Sequence, residues 1–289
     1  MRVVNRSGAS AIPVLLYHSI PTREDRDPLS VFSESFLADL HRVRRSGRVP
    51  LTISQLAAGL RGVSPLPERA VAITFDDGHA NNLAAIERVL ELDLRATVYL
   101  TTGTRGTPAT LDPRALDAMA PPEQIEIGAH SVTHPRLDEL DPSSMATEVT
   151  VCKAELEQLL AREITSFAYP YGFYDGWVRH TVVSAGYSSA VAVKNALSYP
   201  QDDPWAIARF TRRKSNSADD ITRVLEGEGV QQAWSGERLR TRAYRSVRRL
   251  RRQLGGGGTP SIAVRSGETS VRPPTVSSAF MPLTRETNR

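Results

Sequence analysis

The chain has 289 residues with a formal net charge of +4, and 40% of its residues are hydrophobic. It is long enough for one α/β barrel domain of about 250 residues. A single cysteine, Cys152, excludes an internal disulfide and a thiolate metal cluster, and no apolar run approaches the roughly 20 residues of a membrane-spanning helix. The charge is unevenly placed. Residues 1–237 hold 24 basic and 30 acidic residues, whereas residues 238–252 hold eight arginines and no acid. The body is therefore mildly acidic, and the basic balance comes from the C-terminal part.

Residues 1–11 contain no apolar core of signal-peptide length, so the chain as written is expected to be cytoplasmic; a misplaced start would make it extracytoplasmic. Pro13–Tyr17 reads as a first strand, ending at His18. Phe32–Arg45 follows as an amphipathic helix, with Ser33 or Ser35 near its cap. Val71–Phe75 is the next strand, Asn81–Leu92 a helix, and Ala96–Leu100 and Gln124–Gly128 are strands. Ser143–Ala161 is the longest helix, with Cys152 on its apolar face. Thr165–Ala168, Ser188–Val193 and Ala206–Phe210 complete the strands, with helices near Trp177–Ala185 and Ala218–Leu225. Seven strands alternating with helices predict a parallel sheet covered by helices, open or closed into a barrel. Residues 12–230 would form this domain, 231–254 a basic segment able to form a helix, and 255–289 a disordered tail rich in Ser, Thr, Pro and Arg.

The chemistry-bearing residues cluster at strand ends. Thr74-Phe75-Asp76-Asp77-Gly78 closes one strand, and His130-Ser131-Val132-Thr133-His134 follows another. One Asp and two His are the ligands of a catalytic zinc-type site, with the second Asp left as a base. Each motif alone has an ordinary explanation: Asp-Asp-Gly also makes turns and helix caps, and two histidines four apart are common polar residues. Their joint placement at strand ends, where barrels keep their active sites, favours chemistry. Phe167-Ala168-Tyr169-Pro170-Tyr171-Gly172 adds an irregular turn able to aim a backbone N–H into a pocket. Leu15-Leu16-Tyr17-His18-Ser19-Ile20 ends the first strand on a histidine.

These segments resemble the polysaccharide deacetylase family, the carbohydrate esterases that share the NodB homology domain. The resemblance spans roughly residues 12–228. It implies a distorted or incomplete (β/α) barrel of about seven strands. It also implies a metal-dependent hydrolase that removes acetyl groups from N-acetylated sugars, releasing acetate and a free amine. Carried over, Asp77, His130 and His134 would bind a divalent metal: zinc by default, with cobalt, nickel or iron suited to the same donors. Asp76 would be the base, and Tyr171, in the turn begun by Pro170, would offer its N–H to the oxyanion.

Two departures matter. The arginine that many members place two residues before the motif-three proline is here Ala168, and Arg209 is the candidate replacement. The late Leu-x-x-His motif is absent, but the opening Leu-Leu-Tyr-His-Ser-Ile resembles a permuted branch that includes poly-N-acetylglucosamine deacetylases. In that branch the catalytic acid comes from the first strand, which assigns the role to His18.

His41, His79 and His180 are expected to be structural or solvated, although His79, after the Asp-Asp-Gly turn, could touch the pocket rim. Trp177 and Trp205 could stack on a sugar ring, with burial the commoner outcome for a tryptophan. Arg238–Arg252 offers a surface for an anionic partner, with a plain solvated charge run as the alternative. A metal-dependent amidase acting on a non-sugar amide would use the same residues. A non-catalytic carbohydrate-binding relic would keep them without turnover.

Overall fold

The computed structural model describes residues 10–23, 25–228 and 230. The expected basic segment 231–254 and tail 255–289, with the arginines between Arg238 and Arg252, lie outside the described residues.

The described chain contains β1 (Val14–Tyr17), α1 (Ser33–Arg45), β2 (Val49–Leu51), α2 (Ile53–Leu60), β3 (Ala70–Phe75), α3 (Asn82–Glu91) and β4 (Ala96–Leu100). It continues through α4 (Pro113–Asp117), β5 (Ile125–Ala129), α5 (Pro142–Leu160), β6 (Ser166–Ala168), α6 (Gly176–Ser184), β7 (Ser189–Val193), β8 (Ile207–Thr211) and α7 (Ala218–Glu226). The strands run parallel in the order β1-β8-β7-β6-β5-β4-β3-β2. A β1–β3 pairing, from Val14↔Ala72 to Tyr17↔Phe75, closes seven of them into a barrel.

Sequence periodicity gives all seven strands of the ring. It does not give β2, only three residues long with Pro50 in its middle, nor the short helices α2 and α4. β2 pairs with Ala70–Ala72, the first half of β3, while β4 takes Thr74 and Phe75. In α1 the N-cap is Phe32, without a side-chain capping bond, so neither Ser33 nor Ser35 performs that role.

The strands are buried on both faces because alternate residues enter two different cores. Val14, Ala72, Tyr99, Ala168, Val191 and Ile207 form the barrel interior. Leu15, Tyr17, Ile73, Phe75, Val98, Ile127, Phe167 and Ala190 form the layer against the helices. Leu56 and Ala57 of α2 join the interior cluster, closing the barrel at the end where the strands begin. There the buried Glu126 accepts hydrogen bonds from the Ser54 N–H (3.1 Å), the Thr97 hydroxyl (2.8 Å) and the Ser54 hydroxyl. A carboxylate at the start of α2 suits the positive end of the helix dipole. Plugged at this end, the barrel leaves its other mouth, where the strands finish, to carry the site.

The interior layer below that mouth depends on small residues. A Cβ on Gly128 would meet the Tyr99 ring at 2.5 Å. Gly128 thus admits a large aromatic ring to the barrel axis, where the Tyr99 hydroxyl pairs with the Ser166 hydroxyl at 2.7 Å. The Arg209 guanidinium carbon lies 5.6 Å from the centre of the same ring.

Candidate metal centre

β3 and β5 deliver the central residues. β3 ends at Phe75, and the Asp76 N–H bonds to the Tyr17 carbonyl at 3.0 Å, keeping Asp76 in line with the sheet. The chain then turns through two left-handed residues, Asp77 (φ 69°) and Gly78 (φ 65°). A Cβ on Gly78 would meet Leu100 Cδ2 at 2.6 Å, so this turn requires glycine for both conformation and space. The two adjacent carboxylates are sent to different surroundings: Asp76 is 2% exposed, whereas the side chain of Asp77 is 30% exposed.

His130 follows β5 directly, and its Nδ1 lies 2.8 Å from the Ala168 carbonyl oxygen. A proton on Nδ1 donated to that carbonyl leaves Nε2 with a free lone pair, the usual support for a metal-ligating imidazole. His134 returns to the same point through a loop containing Ser131 (φ 66°), with its own φ at 57°. The four-residue spacing therefore works by backbone reversal and not by a shared helix face. Asp77 Oδ1 stands 3.6 Å from His130 Nε2 and 3.5 Å from His134 Nε2, and the two nitrogens are 3.1 Å apart. Metal–ligand bonds of about 2.0–2.1 Å in a tetrahedron give ligand–ligand edges of about 3.3 Å. The three atoms fit one face of such a site, with the remaining position left for water or substrate.

The surroundings are tuned by charge. Burial raises the Asp76 carboxyl, but Arg209 and then His130 outweigh it and hold the group below the usual carboxylate range. Arg209 is fully buried, its two terminal nitrogens 2.6 and 2.7 Å from the two Asp76 oxygens. Asp77 is likewise lowered: burial pushes it up, and His79, His130, His18 and His134 overcome that push. Burial, then His130, lowers His134 to about 4.

His18, at the end of β1, is lowered by burial against the opposing pull of Asp76 and Asp77. Its Nδ1 is buried without a hydrogen-bond partner among the described residues. Its backbone is pinned by Asn82, whose amide donates to the His18 carbonyl at 2.7 Å and whose Oδ1 accepts from the Ile20 N–H.

The turn after β6 completes the mouth. Pro170 is buried, while Tyr171 (φ 58°) is half exposed with its ring 4.6 Å from that of His134. Gly172 packs so closely on β7 that a Cβ would meet Val193 N at 2.3 Å. The Arg136 guanidinium lies over both Tyr171 (5.3 Å) and Phe173 (5.2 Å).

All eight residues singled out from the sequence lie at this mouth or directly beneath it. His79, after the Asp-Asp-Gly turn, stands at the rim with Nε2 3.6 Å from Asp77 Oδ2. Trp177, expected to be buried, is 70% exposed at the start of α6. Glu148 of α5, which sequence reasoning did not single out, takes three hydrogen bonds from the His130–His134 loop.

Residues 64–190 match the family model for polysaccharide deacetylases. The chain contains a polysaccharide deacetylase domain. A candidate polysaccharide deacetylase of Bacillus subtilis, YxkH, is 25% identical over 199 residues, covering 68% of this chain and 70% of the relative. The poly-β-1,6-N-acetyl-D-glucosamine N-deacetylase of Escherichia coli is 33% identical over 67 residues, 23% of this chain and only 10% of that protein. In fold, this deacetylase domain is similar to the Streptococcus pyogenes deacetylase PplD in complex with acetate. That match has a TM-score of 0.69 and 21% identity, covering 75% of this chain and 99% of that one. It is also similar to IcaB from Ammonifex degensii, with a TM-score of 0.65 and 20% identity, covering 75% of this chain and 96% of that one.

Proposed function

We propose that the chain is a divalent-metal-dependent N-deacetylase acting on a polysaccharide or oligosaccharide of the N-acetylglucosamine type, releasing acetate and a free amine. The observation that carries this reading is the convergence of Asp77, His130 and His134 beside the Asp76 carboxylate that Arg209 holds in both hands. One carboxylate is then neutralised by a cation while its neighbour stays free to move a proton. Zinc is the first metal to test, and cobalt, nickel and iron suit the same donors.

When bound, a divalent cation lowers the pKa of a water molecule and polarises the acetyl carbonyl. The chain's own residues supply the rest. Asp76, kept ionised by Arg209, accepts the proton of the attacking water. The Tyr171 N–H, aimed by the left-handed turn after Pro170, is the donor for the developing oxyanion, a contact of a kind worth roughly 3 to 4 kcal/mol. His18 passes a proton to the leaving nitrogen. Because burial keeps its imidazole neutral at rest, His18 acts as an acid only after taking up a proton. Asp76, which pulls its pKa upward, is the neighbour that gathers one in the first half of the reaction.

The fragmentary likeness to the poly-N-acetylglucosamine N-deacetylase and the histidine that directly follows β1 both support a substrate of that class. The test is metal content of the purified chain, wild type beside His134→Ala, followed by acetate release over N-acetylated sugars and simple amides. About one equivalent of metal in the wild type, absent in the variant, with acetate released from N-acetylglucosamine oligomers, is the expected result. Release from non-sugar amides alone would replace the substrate class. A wild type that takes up no metal would make the site a relic.

A further inference from the structure

The loop from His130 to His134 is strained, with two non-glycine residues in the left-handed region: Ser131 and His134 itself. Such a backbone persists only where its surroundings over-determine it. Four groups do so. The Ser131 hydroxyl accepts from the His134 N–H at 3.0 Å. On one side the Thr102 N–H donates to the Ser131 carbonyl at 3.3 Å, and the Gly103 N–H to the Val132 carbonyl at 2.7 Å. A Cβ on Gly103 would meet that Val132 oxygen at 2.6 Å.

Among the described residues, Glu148 supplies the hydrogen bonds on the other side of the loop. Glu148 Oε2 accepts from the N–H groups of both Val132 and Thr133 at 2.8 Å, and Oε1 accepts from the Thr133 hydroxyl at 2.6 Å. Glu148 sits on α5, which is anchored in the outer core through Val149, Cys152 and Leu156. Charge-assisted bonds to paired backbone N–H groups are stronger and shorter than neutral ones. They fix the two residues immediately before His134.

We propose that Glu148 is a positioning residue for the cation: it is no ligand, but it holds the Val132–Thr133 backbone so that His134 Nε2 faces Asp77 and His130. The inference rests on the metal-site reading above. It makes α5 the rigid element that carries the second histidine, as β5 carries the first. Outer-shell partners of this kind typically change metal affinity about 10- to 100-fold when removed.

The experiment is a zinc titration of the full chain by calorimetry with a competing chelator, for wild type, Glu148→Ala, Glu148→Gln and Thr133→Val. Glu148→Ala is expected to weaken zinc about 10- to 100-fold. Glu148→Gln keeps an oxygen acceptor for the two N–H groups, and Thr133→Val removes only the hydroxyl bond. Both are expected within about threefold of wild type, less than the loss of a whole outer-shell partner. A second readout on metal-free protein is amide hydrogen exchange at Val132 and Thr133, protected in the wild type and in Glu148→Gln but fast in Glu148→Ala. This readout stands even if the alanine variant is too weak to load. Wild-type zinc affinity in Glu148→Ala, or unchanged exchange at the two amides, would overturn the proposal while leaving the metal site standing. A wild type that binds no zinc would instead remove the metal site, and this proposal with it.

Discussion

Arg209 and Asp76 form a two-pronged pair across the barrel mouth, with contacts of 2.6 and 2.7 Å between residues 133 positions apart. Both are buried, so the pair is held in a low-dielectric interior where neither charge has water as a substitute partner. Arg209 also donates to the Thr74 hydroxyl at 3.3 Å and rests on the Tyr99 ring. Ala168 on β6 offers no charge, and the positive partner of Asp76 arrives instead from β8, which β1 alone separates from β3 in the ring.

Removing one partner of this pair should cost far more than removing both. Arg209→Met leaves an unpaired buried carboxylate and is expected to lower folding stability by about 3–5 kcal/mol. Asp76→Asn with Arg209→Met should cost clearly less than the sum of the two single changes. Urea unfolding at neutral pH measures all three. Additive losses would mean the two residues act independently despite their contacts.

If Asp76 is the base and His18 the proton donor, Asp76→Asn should reduce kcat by at least about 100-fold with metal content unchanged. His18→Ala should reduce kcat strongly with little change in KM. Metal analysis paired with steady-state acetate release separates these outcomes from loss of the site. Near wild-type turnover in either variant would remove that residue from the reaction.

The elements visible in the sequence were those with strong local patterns. The ring strands are short, β-branched and apolar, and the motifs sit where those patterns stop, so Asp76, Asp77, His130 and His134 could be placed at strand ends without a structure. The relationship between His130 and His134 was legible only as a spacing, since the left-handed turns at Ser131 and His134 leave no periodic trace. Arg209 could be nominated because it lies in a strand, but its partner depends on closure of the barrel through β1 and β3. Glu148 was not legible at all, and His79 only as a residue after the Asp-Asp-Gly turn that could touch the pocket rim. Each acts through a contact set by the packing of α5 or by the Asp77-Gly78 turn, and a glutamate on a helix or a histidine after a turn is unremarkable by itself. β2 was hidden because Pro50 and a three-residue length resemble a loop.

His79 should act on Asp77 through its second oxygen. The segment that carries it is fixed: His79 bridges Thr110, the Ala80 N–H bonds to the Ala109 carbonyl at 2.8 Å, and the Leu111 N–H bonds to the Gly78 carbonyl at 2.8 Å. With the ring beside Oδ2, Oδ1 remains directed at the two histidines. His79→Ala is expected to weaken metal binding by about tenfold, and His79→Gln by less. Equal affinities in chelator competition would make His79 an ordinary surface residue.

Gly128 should matter through the Tyr99 ring and not through backbone freedom. Gly128→Ala forces the ring to shift, with an expected cost of about 1–3 kcal/mol from overpacking. The shift also removes the support beneath Arg209. Tyr99→Leu in the Gly128→Ala background opens space for the new methyl group and should recover part of the stability without recovering kcat. Thermal unfolding and acetate release read the two effects separately, and simultaneous recovery of both would show that Tyr99 only fills volume.

The metal-free protein should lose stability in acid through His134. Its folded pKa of about 4 lies below the ordinary value of 6.5, because burial first and His130 second disfavour the imidazolium. A group whose proton affinity falls on folding opposes the folded state once the solution supplies the proton. The stabilising difference is therefore full above about pH 6.5, and it is lost as the pH falls towards 4. Replacing the imidazole with a side chain that does not titrate, as in His134→Gln, should flatten this part of the profile. Urea midpoints for both proteins at pH 7.0 and 4.5, with chelator present, make the comparison. The wild type is expected to fall further than the variant over that interval. Parallel losses would place the acid sensitivity elsewhere, with carboxylates such as Asp76 and Asp77, whose lowered pKa values predict their own loss of stability at still lower pH.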